Sequence, residues 1–151
     1  MGTQGVPSLR VSYKSFPLRN RGVPEQTRIW RPILPVQIIY HHTTSKKFEA
    51  VVDTGTDYCL FDANIGASIG VKILSGPEGD LGGVIPGPRS KVYYHDVKLV
   101  VGADIVEIKA GFSWDLSENL LGQIGFFENF TVTFDPSPQP PCFEIHRVHR
   151  N

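Results

Sequence analysis

FEAVVDTGTDYCLF, residues 48–61, sets an acid, a hydroxyl and a glycine (Asp53, Thr54 and Gly55) directly after a run that otherwise reads as a buried strand. A carboxylate that ends an apolar strand has to be paired, hydrogen-bonded or neutral, because an isolated charge in poorly solvated surroundings is costly. The partner of Asp53 therefore decides what this stretch is for.

Working outward, RPILPVQIIY (31–40) alternates as a strand, HHTTSK (41–46) supplies a turn and KFEAVVD (47–53) returns as its partner, so Asp53 ends the second strand of a hairpin. After the TGTD loop comes a short apolar strand, YCLF (58–61), and then Asp62, which reads as the N-cap of a single helical turn in ANIGASIG (63–70). From Val71 to Val101 two β-prone stretches flank a middle crowded with Gly76, Gly79, Gly82, Gly83 and Gly87 and with Pro77, Pro86 and Pro88. Those glycines open backbone angles closed to other residues and those prolines deny ladder bonds, so a projecting hairpin tip is predicted. An ordinary mobile surface loop is the plainer reading of the same stretch. DIVEIKAGFSW (104–114) and FTVTFD (130–135) read as strands, QIGFFENF (123–130) as a short helix, PSPQPP (136–141) as a break, and CFEIHRV (142–148) as a strand folding back. No long helix and no internal repeat is predicted, and the fold class is all-β.

The 151 residues suffice for one domain, and 15 Gly with 12 Pro suit a turn-rich β chain. Folded structure is expected from about Trp30. Residues 1–29 read as a basic, flexible N-terminal arm, solvated or anion-binding. Over residues 1–31, Arg10, Lys14, Arg19, Arg21, Arg28 and Arg31 stand against Glu25 alone, a net of +5 that leaves −5 for the rest of a neutral chain. No basic stripe crosses the folded part, so nucleic acid is not an expected partner. No segment is apolar for long enough to cross a membrane, and the first residues lack the apolar core of a secretory signal. Two cysteines, Cys59 and Cys142, are too few for a disulfide scaffold, and a reducing, cytoplasmic location is expected. Cys59 reads as a buried free thiol.

Asp-Thr-Gly alone is a weak signal, but its setting adds to it. An apolar strand leads into Asp53, a further acid follows at Asp57, a Gly-rich hairpin lies about thirty residues on, and Leu120-Leu121-Gly122 closes the series. That ordered set resembles the retropepsin-like (retroviral-type) aspartic proteases over roughly residues 30–148, and NLLGQIGFFENFTVTFD (119–135) is most similar to cellular, bacterial-type members. The resemblance implies a retropepsin-like protease domain over residues 30–151, a closed β barrel with a flap hairpin and one or two short helical turns, and a carboxylate pair at the base of a cleft. It implies no metal and no cofactor. Because Asp-[Ser/Thr]-Gly occurs once, the resemblance implies that Asp53 pairs with Asp53 of a second copy in a homodimer. The implied function is an aspartic endopeptidase acting on peptide or protein substrates, with apolar residues around the scissile bond.

Two carboxylates about 3 Å apart at an effective dielectric of about 20 repel by roughly 5 kcal/mol, or about 4 pK units, so both do not ionise together. Such a pair shares a proton and titrates as a unit, which suits general acid–base activation of water. By the same resemblance Thr54 bonds across the two-fold axis, Gly55 lets a substrate backbone approach, Asp57 binds substrate backbone, and Leu81, Gly82, Gly83 and Val84 form the flap tip. A turn Thr bonding its own backbone and a plainly solvated Asp57 are the alternatives. Thr56 replaces the usual small residue, and Gln123 stands where retroviral members carry an arginine able to pair with the acid matching Asp57, which removes a charge-assisted bond. The proline-interrupted C-terminal stretch also departs from the retroviral interface strand.

Cys142, His146 and His149 do not converge as zinc ligands, since on a strand 142 and 146 share a face and 149 points away. The cluster Phe126, Phe127, Phe130 and Phe134 reads as core, and no Ser-His-Asp context is present. The competing functional class is a retropepsin-like dimerisation or peptide-binding module that does not cleave.

Overall fold

The computed structural model describes residues 8–81 and 90–149. Along the chain run β1 (Ser8–Ser12), β2 (Lys14–Pro17), β3 (Arg28–Arg31), β4 (Ile33–Tyr40), β5 (Thr43–Thr44), β6 (Phe48–Val52), β7 (Leu60–Asp62), helix α1 (Ala63–Ser68) and a 3₁₀ turn (Ile73–Ser75). Then follow β8 (Glu78–Asp80), β9 (Lys91–Val101), β10 (Asp104–Ser113), β11 (Asn119–Leu121), β12 (Phe130–Asp135) and β13 (Cys142–Arg147).

Strands β4, β6, β11, β7, β10 and β9 bond side by side in that order, and β9 returns to β4 through Gln37↔Val100, Ile38↔Leu99 and Ile39↔Lys98. The result is a closed six-stranded barrel with no free edge inside it. Period-2 alternation fills it: Leu34, Val36 and Ile38 of β4, Val97, Leu99 and Val101 of β9, and Val106, Ile108 and Ala110 of β10 are all buried. Phe61 and Phe112 meet edge to face at 6.0 Å in the same core. Burying one such side chain contributes roughly 1.5–3 kcal/mol, so this interior dominates stability.

The helical turn lies where the sequence puts it. Asp62 caps α1 by accepting from the Asn64 N–H at 2.9 Å. QIGFFENF, by contrast, forms turns rather than a helix. Phe127 N–H reaches Gly122 O and Glu128 N–H reaches Gln123 O, both five residues back, and Gly125 sits at φ 102°. Those wide rings and the left-handed glycine stop an α-helix from propagating, while Phe126 and Phe130 still stack at 5.2 Å in the core.

The N-terminal arm is the main departure. β1 lies antiparallel against β13, from Ser8↔His146 to Ser12↔Cys142, and β12 covers the other edge of β13. β2 pairs with β3, and the Tyr13 N–H donates to Pro141 O at 2.7 Å. Ordered strands therefore begin at Ser8, not near Trp30. The reason is the alternation of Leu9, Val11 and Tyr13 with polar neighbours, which the charge of the segment obscures; Val11 and Tyr13 pack against the core, Tyr13 edge-on to Phe143. No helix among the described residues is long and apolar enough to cross a membrane.

Candidate active site

β6 delivers Asp53. Ala50 and Val52 point into the core, and β6 runs parallel to β11 with Val52 opposite Leu121. The Asp53 N–H extends that ladder, donating to Leu121 O at 3.0 Å, after which the chain turns. Gly55 N–H donates to Asp53 Oδ1 at 2.8 Å, and the Thr56 N–H lies 3.4 Å from Asp53 O. The carboxylate is thus half-buried with one oxygen engaged by its own turn, an Asx-type closure. A β-carbon at Gly55 would fall 3.2 Å from Oδ1, which is why a glycine suits the position. Thr54 and Gly55 are exposed.

Residues 119–124 form the bed on which this loop rests. Gln123 N–H donates to Thr56 O at 2.9 Å, Ile124 N–H donates to Asp57 O at 2.7 Å, and Tyr58 pairs with Ile124 in a parallel bridge. Gly122 has no room for a side chain: a β-carbon would lie 2.4 Å from Tyr58 O and 2.6 Å from Thr56 O. Leu120 and Leu121 lie on β11 between β6 and β7, so the Leu-Leu-Gly triplet and the Asp-Thr-Gly turn are brought together. Asn119 joins the two flanking strands. Its Oδ1 accepts the Asp62 N–H at 2.8 Å, and its Nδ2 donates to Glu49 O at 3.1 Å. Reading ENLLG for its leucines passes over this asparagine, whose one signal is a polar amide at the start of a short, flanked strand. Gln123, read from sequence only as a missing arginine, donates through Nε2 to Thr54 O at 2.8 Å.

Asp57 is exposed, four residues past Asp53. Next to it, Tyr58 meets Tyr94 of β9 edge-on at 5.0 Å. Burial, Tyr58 and the Asp57 carboxylate push the Tyr94 phenol above its usual range. Tyr94 also backs the β8–β9 hairpin, since its N–H donates to Pro77 O at 3.0 Å and a β-carbon at Gly79 would meet its ring at 2.9 Å. That hairpin pairs from Glu78↔Tyr93 to Asp80↔Lys91, at the base of the Gly/Pro-rich stretch whose predicted projecting tip lies outside the described residues. Leu81 continues it, its N–H donating to Ser90 O at 2.8 Å. Gly82, Gly83 and Val84 lie outside the described residues. Cys59 is fully buried, its thiol 3.7 Å from Ile124 O and pushed up to about 12, chiefly by burial. Cavities of about 570 Å³ beside His41, Asp96 and Lys109 and of about 270 Å³ beside Leu9, Pro35 and Val100 include none of the candidate site residues.

A retropepsin-like aspartic protease from Rickettsia conorii superposes over 93% of this chain and 92% of its own, with a TM-score of 0.60 at 17% identity. The fold is that of the retropepsin-like aspartic proteases. An EIAV protease complexed with the inhibitor HBY-793 aligns over 62% of this chain and 82% of its own, with a TM-score of 0.44 at 17% identity. No protein-family model matches the chain, and no curated protein matches it in sequence. In retropepsin-like terms, the closed barrel carries Asp53 at the end of β6 and holds it against β11, with the β8–β9 hairpin reached through Tyr58 and Tyr94.

Proposed function

We propose that two copies of the chain meet at their Thr54–Gly55 turns, bring their Asp53 carboxylates together and hydrolyse peptide bonds. The observation that carries this reading is the placement of a half-buried carboxylate on a tightly bonded but outward-facing turn. One copy supplies one acid, and the chemistry needs two.

With the pair sharing a proton, the ionised member takes a proton from a bound water as the oxygen attacks the scissile carbonyl carbon, and the protonated member gives its proton to the carbonyl oxygen. The tetrahedral diol then collapses: the C–N bond breaks, the protonated acid gives its proton to the leaving nitrogen, a diol hydroxyl gives its proton to the ionised acid as it becomes the carboxyl product, and the pair again holds one proton. Asp57 binds the substrate backbone, and the β8–β9 hairpin, through Leu81, Gly82, Gly83 and Val84, closes over the peptide and excludes water. The partners are a second copy of the chain and a peptide or protein substrate.

The test is turnover of a denatured protein or an apolar peptide library between about pH 4 and 7, with the wild type and Asp53→Asn side by side. Asp53→Asn is expected to fold and dimerise while losing cleavage. Equal cleavage by both proteins would remove the assignment to this site. A dimer that binds peptides without cutting them would establish the non-cleaving module instead.

A further inference from the structure

Gln123 has no acid or base to offer, yet it grips the turn that holds Asp53. Its Nε2 donates to Thr54 O at 2.8 Å. That oxygen belongs to the same peptide unit as the Gly55 N–H, which donates to Asp53 Oδ1 at 2.8 Å. One rigid amide plane is therefore held on its oxygen by Gln123 and presents its hydrogen to the carboxylate. Bonds in such a chain polarise one another, so the first strengthens the second.

The Gln123 backbone is fixed independently. Its N–H donates to Thr56 O at 2.9 Å, the next N–H donates to Asp57 O at 2.7 Å, and the preceding Gly122 is wedged between Tyr58 O and Thr56 O. The side chain thus reaches Thr54 from an anchored base. We propose that Gln123 is a positioning residue that orients the Asp53 carboxylate through the Thr54–Gly55 peptide, within each chain and not across the dimer. This rests on the reading of Asp53 as catalytic. It also assigns the position a different task from an arginine paired with an acid: the atom gripped is a carbonyl oxygen, and an amide NH₂ serves it without a charge to neutralise.

The experiment measures kcat, KM, dimer mass and hydrogen exchange of the Gly55 amide for the wild type, Gln123→Leu and Gln123→Glu. Gln123 is exposed, so both variants are expected to keep the fold. In Gln123→Leu, kcat is expected to fall about fivefold to tenfold, the rate equivalent of one ordinary hydrogen bond, with KM and dimer mass unchanged and Gly55 exchange faster. Gln123→Glu sets a carboxylate against the Thr54 carbonyl, and only its protonated form donates. Its kcat relative to wild type at the same pH is therefore expected to recover as pH falls through about 4.3. A drop of less than about twofold with unchanged exchange would overturn the proposal, as would a loss that tracks dissociation of the dimer or a Gln123→Glu ratio flat with pH. If the wild type cleaves nothing, the catalytic reading of Asp53 fails by itself. The exchange comparison still decides the positioning role: acceleration in Gln123→Leu upholds it, and no change removes it.

Discussion

Asp53 and Leu121, far apart in the chain, are joined by one backbone hydrogen bond of 3.0 Å from the Asp53 N–H to the Leu121 carbonyl. It is the last rung of the β6–β11 ladder, and it fixes where the carboxylate leaves the sheet. Everything after it, from the Gly55 N–H on Oδ1 to the bed of residues 122–124, refines that placement.

Because Gly122 is the tightest point of that bed, Gly122→Ala is expected to push residues 56–58 outward. Its β-carbon would stand 2.4 Å from Tyr58 O, and backbone does not yield cheaply. Overpacking of this kind costs about 1–3 kcal/mol. Chemical denaturation should show the loss, and cleavage should fall by more than the unfolded fraction explains. A fully stable and active variant would show that the loop has more freedom than these contacts imply.

The Cys59 thiol gives a pH signature. Burial holds it protonated up to about 12, above its ordinary value of 9.0. With the folded pKa raised, this group's stabilising contribution is complete below about 9 and is lost as pH rises through about 12. A thiol reagent near pH 8 should leave Cys59 unmodified in the native protein and modify it once the chain unfolds, as mass spectrometry of the 53–60 region would reveal. Rapid native labelling would contradict the burial.

Removing β1 tests the N-terminal strand. A chain beginning at Tyr13 loses the whole Ser8–Ser12 pairing and uncovers one edge of β13. Loss of Val11 burial and of five paired residues is expected to cost on the order of 3 kcal/mol. Thermal melts would read this as a clear drop in Tm. An unchanged Tm would mean that β1 is dispensable.

The barrel was legible because its strands alternate cleanly, and Asp53 because an acid after Ala50, Val51 and Val52 breaks an apolar run. The Asp62 cap was equally plain, since a short acid before a helical turn has one usual role. β1 was not, because Arg10 and Lys14 dominate a count of charge while Val11 and Tyr13 carry the burial. The Phe126–Phe127 turn reads as a helix in sequence because glycine at 125 permits a wide turn whose apolar spacing mimics one. The Gln123 and Asn119 bonds were beyond reach for another reason: each spans segments that only the closed barrel brings together, about seventy positions apart in the chain. Side-chain to backbone bonds of that range leave no periodic trace in sequence.

The most direct measurement is specific activity followed across a dilution series alongside particle mass by light scattering. If each site takes one Asp53 from each chain, activity per chain should fall in step with the shift toward the 16.8 kDa monomer and return on reconcentration. Undiminished activity from particles of 16.8 kDa would contradict it.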